Sequence, residues 1–128
     1  MTTRTGPQYS GRCGLLPAGA DWDAIRVPRT IGLTTLEILG SRSGAVVDDA
    51  REPALYWFVA PGTAAGWEVE QTHPLGVGDY LAVPPPRRVK GPGPCWRISP
   101  GDRSWFTDAD DLRAAVEDAL NPGTERTA

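Results

Sequence analysis

The chain has 128 residues, a length that fits one domain with a buried core and leaves little room for a second domain. Five Trp, three Tyr and two Phe supply large buried areas, and an apolar fraction of 40% is typical of a globular rather than a disordered chain. A formal net charge of −3 argues against a dominant nucleic-acid surface, although it leaves room for a local basic patch.

The two ends of the chain differ from the middle. Residues 1–20 are rich in Gly and Pro and lack periodicity, which predicts a flexible arm with Leu15 and Leu16 docked on the domain. We assign residues 21–120 to the folded domain and residues 121–128 to a tail. No apolar stretch approaches the roughly 20 residues that span a bilayer, and no signal-peptide core is visible, so we expect a cytoplasmic protein without a membrane role.

The first elements of the domain are a strand and a helix. Trp22–Val27 is a strand candidate that ends at Pro28, which cannot donate to a ladder. Arg29–Leu39 follows as a helix, because Pro28 suits its start and Gly40 suits a left-handed position after its end. Ala45–Asp48 is a further short strand.

The second half of the domain is rich in strand signals. Ala54–Ala60 is a continuous apolar run, which predicts a central strand buried on both faces. Trp67–Gln71, Asp79–Val83 and Cys95–Ile98 are shorter strand candidates. Residues 84–94, called the proline loop below, begin with three prolines and predict a semi-rigid connection.

The last element is an amphipathic helix that begins after Thr107, the expected N-cap, with Asp110 three residues on. Asn121 and the Pro-Gly pair after it end that helix. The order of elements predicts an α+β fold in one domain, with a mainly antiparallel sheet and two helices packed on it.

The acidic pair Asp48-Asp49 is the first candidate for chemistry. Adjacent strand residues point to opposite faces, so these two carboxylates diverge unless the backbone turns, and a solvated turn is the simpler interpretation. His73 is the only histidine, and with Cys13 and Cys95 far apart it makes a poor zinc site. We therefore predict no metal site, and we interpret the cysteines as reduced thiols, with a disulfide between them left open.

Two loops remain as candidate binding segments. Gly76-Val77-Gly78 lacks the rest of a phosphate-binding motif and predicts a turn into the strand at 79–83. Arg87, Arg88 and Lys90 in the proline loop precede Trp96 and Arg97, a mixture of charge and aromatic surface that suits a single-stranded nucleic acid. The alternative is a solvated basic loop with Trp96 in the core.

Three segments carry a resemblance to a known family: GAVVDDAREPALYWFVAPGTAAGWEV, LGVGDYLAVPPP and GPGPCWRISP. Together they resemble the N-terminal domain of bifunctional DNA primase/polymerases (prim-pol), and more closely small prim-pol-like proteins of high-GC bacteria, over about residues 22–120. The residues that match are mostly structural: Tyr56, Trp57, Phe58, Val59, Pro61, Gly62, Tyr80, Val83, Pro84, Pro85, Trp96 and Pro100.

The metal-binding motifs of that family are altered in this chain. Active members use a two-metal site built from a D-h-D strand motif, a histidine before the aromatic strand, and a later aspartate. Here the first motif is Asp48-Asp49 without a spacer, no histidine precedes Tyr56, and Asp79 lies in the region of the third motif. The resemblance therefore implies a reduced relative without the Lewis acid that phosphoryl transfer requires.

Three functions follow as hypotheses. The first is a non-catalytic prim-pol-like domain that binds single-stranded nucleic acid, a nucleotide or a replication partner without a cofactor. In this first hypothesis, the basic residues contact phosphate, and Trp96 or Trp57 stacks on a base. The basic residues are Arg26, Arg29, Arg87, Arg88, Lys90 and Arg97. The alternatives are a protein-interaction module, anchored by aromatic residues, and a residual nucleotidyltransferase with Asp48, Asp49 and Asp79 around Mg²⁺ or Mn²⁺.

Overall fold

Strands and two helices form an antiparallel α+β fold in the described residues, 14–100 and 104–121, of this computed structural model. The strands are β1 Gly14–Pro17, β2 Asp23–Pro28, β3 Val46–Asp49, β4 Ala54–Val59, β5 His73–Leu75, β6 Tyr80–Val83 and β7 Cys95–Ile98. The helices are α1 Arg29–Leu39 and α2 Ala109–Leu120. Neither helix is long and apolar enough to cross a bilayer.

The main sheet has five antiparallel strands in the order β5-β2-β4-β3-β7. All six residues of β4 are buried, and β4 lies in the middle of the sheet, so the prediction of a central strand is confirmed. Alternate side chains of β4 point to opposite faces, and each face has its own apolar cluster.

The two helices cover one face of this sheet. The cluster on that face includes Leu55 and Trp57 from β4 together with Leu112 and Val116 from α2. Gly32 of α1 lies directly against Leu55, since a Cβ added at Gly32 would stand 2.8 Å from a Leu55 methyl carbon. The small residue therefore lets α1 approach β4 closely, which explains a glycine inside a helix.

A second, two-stranded sheet made of β1 and β6 covers the other face. Its inward residues Leu16 and Leu81 pack on the cluster that contains Phe58. The Phe58 ring contacts Trp22 and Trp105 edge-to-face, at centroid distances of 5.3 Å for both pairs. This aromatic layer accounts for the burial of β4 on its second face.

Three sequence predictions about these elements need correction. Residues 14–17 of the predicted arm form β1, in which Leu16 docks as expected but Leu15 does not, being 69% exposed. Residues 1–13 of the arm and residues 122–128 of the predicted tail lie outside the described part. The strand predicted at Trp67–Gln71 is wrong, and β5 forms after it. Thr107 is not the N-cap of α2, because Asp108 accepts the hydrogen bond from Asp111 N.

Candidate functional site

Several of the predicted basic residues meet at the outer edge of the main sheet, around β7. Arg29 begins α1, and its guanidinium Nη1 donates to Asp48 Oδ1. Arg97 lies at an irregularity in the β3–β7 register, where Val47 pairs with Trp96 and Val46 with Ile98. This bulge aims Arg97 at the same carboxylate, with its Nε 3.6 Å from Asp48 Oδ2.

Arg88 of the proline loop lies beside this pair, because its backbone oxygen accepts from Trp96 N at 2.8 Å, although its Nη1 donates to Pro92 O at 3.4 Å within the loop. We call the side chains of Arg29, Arg88 and Arg97 the basic edge. Burial raises the pKa of the Cys95 thiol, and the charge of Asp48 raises it further, while Arg97, Arg29 and Arg88 each lower it. Cys95 thus lies within electrostatic reach of three guanidinium groups and one carboxylate. Among the described residues that act on this thiol, three are cationic and one is anionic, so the basic edge has a positive excess there.

Trp96 does not serve as the stacking platform that the sequence suggested. Its side chain is only 2% exposed and lies in the core beside Phe58 and Trp105. Its indole Nε1 donates to Pro85 O at 3.0 Å, and its backbone N donates to Arg88 O at 2.8 Å. Trp96 therefore holds the proline loop against β7, and the alternative of a core tryptophan is correct.

The other residues predicted to contact nucleic acid lie in the proline loop, in the core and on β2. Arg87 and Lys90 are exposed in the proline loop, whereas Trp57 is fully buried and cannot stack on a base. Arg26 stands apart from the basic edge. Its Nε donates to the Tyr56 hydroxyl at 3.3 Å, and burial raises the pKa of that hydroxyl despite the nearby guanidinium.

The three candidate catalytic aspartates do not come together. Asp48 pairs with Arg29 and Arg97, whereas the Asp49 carboxylate accepts from Arg51 Nε at 3.2 Å on the opposite face of β3. The predicted divergence of these neighbours is confirmed.

Asp79 lies beyond the other end of β2, beside a cavity that Asp23 also lines. Within residues 14–100 and 104–121, no group of three or more His, Cys, Asp or Glu is placed to hold a metal ion.

No family model, curated protein or solved structure matches this chain. The similarity to prim-pol proteins therefore remains a prediction that depends on the matching residues alone. Two of those residues, Trp57 and Trp96, have clear structural roles in the fold, as the two core clusters show. Function must be argued from the geometry of the sites themselves.

The cavity at the other end of β2 was not predicted. The Gly76-Val77-Gly78 segment forms the expected turn, with Asp79 N donating to Gly76 O at 2.9 Å, and this turn forms one wall of the cavity. Asp23, which is 2% exposed, forms another part of the wall. A lone aspartate at the start of a strand belongs to no motif, so only the folded chain reveals its position. His73 is exposed on the neighbouring β5.

Proposed function

We propose that this protein is a non-catalytic domain of the prim-pol type that binds the phosphate backbone of single-stranded nucleic acid in the cytoplasm. The observation that carries the proposal is the pairing of both Arg29 and Arg97 with the carboxylate of Asp48, beside a loop whose Arg88 backbone oxygen is hydrogen-bonded to Trp96 N. Phosphate is the ligand that the guanidinium fork fits best, because it can accept two parallel hydrogen bonds from one arginine.

The exposure of these arginines also supports a ligand. The side chain of Arg29 is 34% exposed and that of Arg97 is 38% exposed, so both can reach a backbone that passes along the sheet edge. Asp48 holds the two groups side by side, while Trp96 fixes the loop that carries Arg88. The basic edge is therefore ordered before a ligand arrives, which lowers the entropy cost of binding.

The same geometry favours backbone contact over base contact. The tryptophans expected to stack, Trp57 and Trp96, are both in the core. A site with charge but without a stacking platform binds in a sequence-tolerant and strongly salt-dependent way. Arg87 and Lys90 extend the positive surface along the proline loop.

Fluorescence anisotropy with a labelled oligothymidylate, at about 50 and about 200 mM salt, tests this proposal. We expect binding at low salt that weakens steeply at high salt. The double variant Arg88→Ala/Lys90→Ala should weaken binding and reduce the salt slope, by roughly 1 for each lost phosphate contact. Arg113→Ala is the matched control, because Arg113 is exposed on α2 and pairs with Glu117 at 3.5 Å.

A flat titration at low salt would contradict the proposal, because phosphate contact must depend on salt. An equal loss of affinity per removed charge in the loop variant and in Arg113→Ala would also contradict it, since binding would then follow overall charge rather than the position of these residues.

A protein-interaction role is a second candidate, favoured by one specific surface. The outward side of β1 and β6 carries Leu15, which is 69% exposed, and Tyr80, which is 59% exposed. Exposed apolar residues grouped in this way are typical of contact surfaces. Crosslinking in native cell extract should then yield one partner without nucleic acid, and Leu15→Ser/Tyr80→Ser should abolish that product. Recovery of the same product with this variant would exclude the surface.

A further inference from the structure

A cavity of about 350 Å³ lies between the β5–β6 turn and the start of β2. Small or short side chains form most of its wall, and two acidic side chains, Asp23 and Asp79, complete it; the other lining residues are Gly19, Gly62, Ala64, Ala65, Pro74, Gly76 and Val77. This volume is at the lower end of the range for small-molecule sites. The strand β2 is about 17 Å long from Asp23 to Pro28, and the basic edge begins beyond its far end, at Arg29.

The Asp23 carboxylate is only half satisfied. Its Oδ2 accepts hydrogen bonds from the backbone N atoms of Gly62 and Ala64, both at 2.9 Å, which ties the loop after β4 to β2. Its Oδ1 is buried and has no hydrogen-bond partner among the described residues. Buried polar atoms in native proteins are almost always paired, so this unpaired carboxylate oxygen beside a cavity is an acceptor available to a bound donor.

Gly76 lies against this carboxylate, where a larger residue would crowd it. A Cβ added there would stand 3.9 Å from Asp23 Oδ1 and only 3.1 Å from the Ala64 Cβ. Asp79 borders the same space, and its Oδ2 accepts from Gly76 N at 3.0 Å. Two carboxylates thus share one cavity, and among residues 14–100 and 104–121 no Lys, Arg or His lines it.

The chemistry of the wall selects a cation and excludes an anion, because two carboxylates would repel a negative group at close range. A bare divalent ion fits poorly. Calcium takes six to eight oxygen ligands, whereas one oxygen of each carboxylate here is already held by backbone N–H groups. An ammonium group carries three donors, and the Ala, Pro and Val side chains provide an apolar surface for a short carbon body.

We propose that this cavity binds a small organic cation, a primary ammonium on a short aliphatic body. Asp23 Oδ1 accepts one ammonium hydrogen, Asp79 supplies the second charge, and Ala64, Pro74 and Val77 contact the carbon chain. This site is independent of the basic edge, so either proposal can fail without the other.

Amide chemical-shift titration of the ¹⁵N-labelled protein with n-propylammonium tests the proposal. We expect saturable shifts at Gly62, Ala64 and Gly76, with the roughly millimolar Kd that so small a fragment can support. The neutral analogue 1-propanol and the anion propionate should cause no saturable shift at these residues, since neither supplies a cationic donor.

Two variants and one control locate the site. Asp79→Asn keeps an acceptor for Gly76 N but removes the charge, and it should raise Kd at least about tenfold. Gly76→Ala places a methyl group in front of the intact carboxylates and should abolish binding. Gly66→Ala should leave Kd unchanged, because an added Cβ there meets no atom within 4 Å. Both variants retain Asp23, but the new Cβ in Gly76→Ala stands 3.1 Å from the Ala64 Cβ and presses on the loop that Asp23 holds. Asp79→Asn adds no atom there, so it tests the lost charge without displacing that loop.

Each remaining outcome overturns the proposal. Equal shifts with 1-propanol would mean that the cavity is merely apolar, and saturable shifts with Mg²⁺ or Ca²⁺ but not with propylammonium would assign it to a metal. An unchanged Kd in both Asp79→Asn and Gly76→Ala would place the amine elsewhere on the protein.

Discussion

Among the single residues, Asp48 has the largest electrostatic influence at the basic edge. It is 8% exposed, it pairs with Arg29 and Arg97, and its backbone oxygen lies 3.7 Å from the Cys95 sulfur. Two cationic partners offset the cost of placing this carboxylate in a largely buried position. The Cys95 thiol can report on the balance between these charges, because it responds to all of them.

We predict that Asp48→Asn lowers the pKa of the Cys95 thiol, because burial and the Asp48 charge raise that pKa while the arginines lower it. Conversely, Arg97→Gln should raise it further. The measurement is the pH dependence of iodoacetamide alkylation in a Cys13→Ser background, since the thiolate is the reactive form. Asp110→Asn, on exposed α2, is the control, and an identical midpoint in all variants would contradict the prediction.

Among the elements, α2 shows how a helix boundary depends on one residue. Asp108 Oδ2 accepts from Asp111 N at 3.0 Å and caps the helix. The neighbouring Thr107 is buried instead, and its Oγ1 accepts from Gly44 N at 2.8 Å. Both residue types favour N-caps, so the sequence could not distinguish them, and the distant Gly44 decides which one faces the core.

We predict that Asp108→Ala lowers the free energy of unfolding by about 0.5–2 kcal/mol through loss of the cap. Thr107→Ala should cost about 1–3 kcal/mol for a different reason, because the buried Gly44 N–H then loses its acceptor. Urea unfolding measures both. An exposed position near the helix end, Asp118→Ala, should stay within about 0.5 kcal/mol. A larger loss for Asp118→Ala than for Asp108→Ala would refute this assignment.

The sequence predicted the bounds of an element correctly where neighbouring residues mark its ends. The bounds of α1 and of β7 match the prediction, because Pro28, Gly40 and the Pro-Gly segment before Cys95 mark their ends. The alternation of Trp67 and Val69 did not mark a strand. Both residues lie in a loop, and their side chains are part of the apolar cluster between the main sheet and the two helices. In that loop, Trp67 Nε1 donates to Thr72 Oγ1 at 2.8 Å.

Non-local pairing explains the strands that sequence reasoning missed. β5 contains Pro74, which argues against a strand, but β5 lies at the edge of the sheet where a missing N–H is tolerated. β1 pairs with β6, with Leu16 opposite Leu81, and nothing near Leu16 in sequence indicates that partner.

For the candidate sites too, what depends on contacts between distant residues could not be predicted from the sequence. The basic residues were visible in sequence, whereas the role of Trp96 and the half-satisfied Asp23 depend on distant contacts.

In the whole molecule, β4 joins two apolar clusters that would otherwise be separate. Its side chains contribute Leu55 and Trp57 to the helix side, and Tyr56 and Phe58 to the side covered by β1 and β6. Loss of packing on either face removes support from the same strand. The two cores are therefore expected to unfold together, as small single domains commonly do.

We predict that Leu112→Ala on the helix side and Leu81→Ala on the opposite side each lower the free energy of unfolding by about 2–5 kcal/mol. In both variants, tryptophan fluorescence and far-UV circular dichroism should report one coincident denaturant transition. Leu33→Ala, at a 37% exposed position on α1, should change the midpoint far less. If β1 and β6 were only loosely attached, Leu81→Ala would instead shift the fluorescence transition alone. Three of the five tryptophans, Trp22, Trp96 and Trp105, pack on the side that β1 and β6 cover, whereas most helical signal comes from α1 and α2. Separate transitions would thus show that β4 does not couple the layers, whereas coincident ones require that it does.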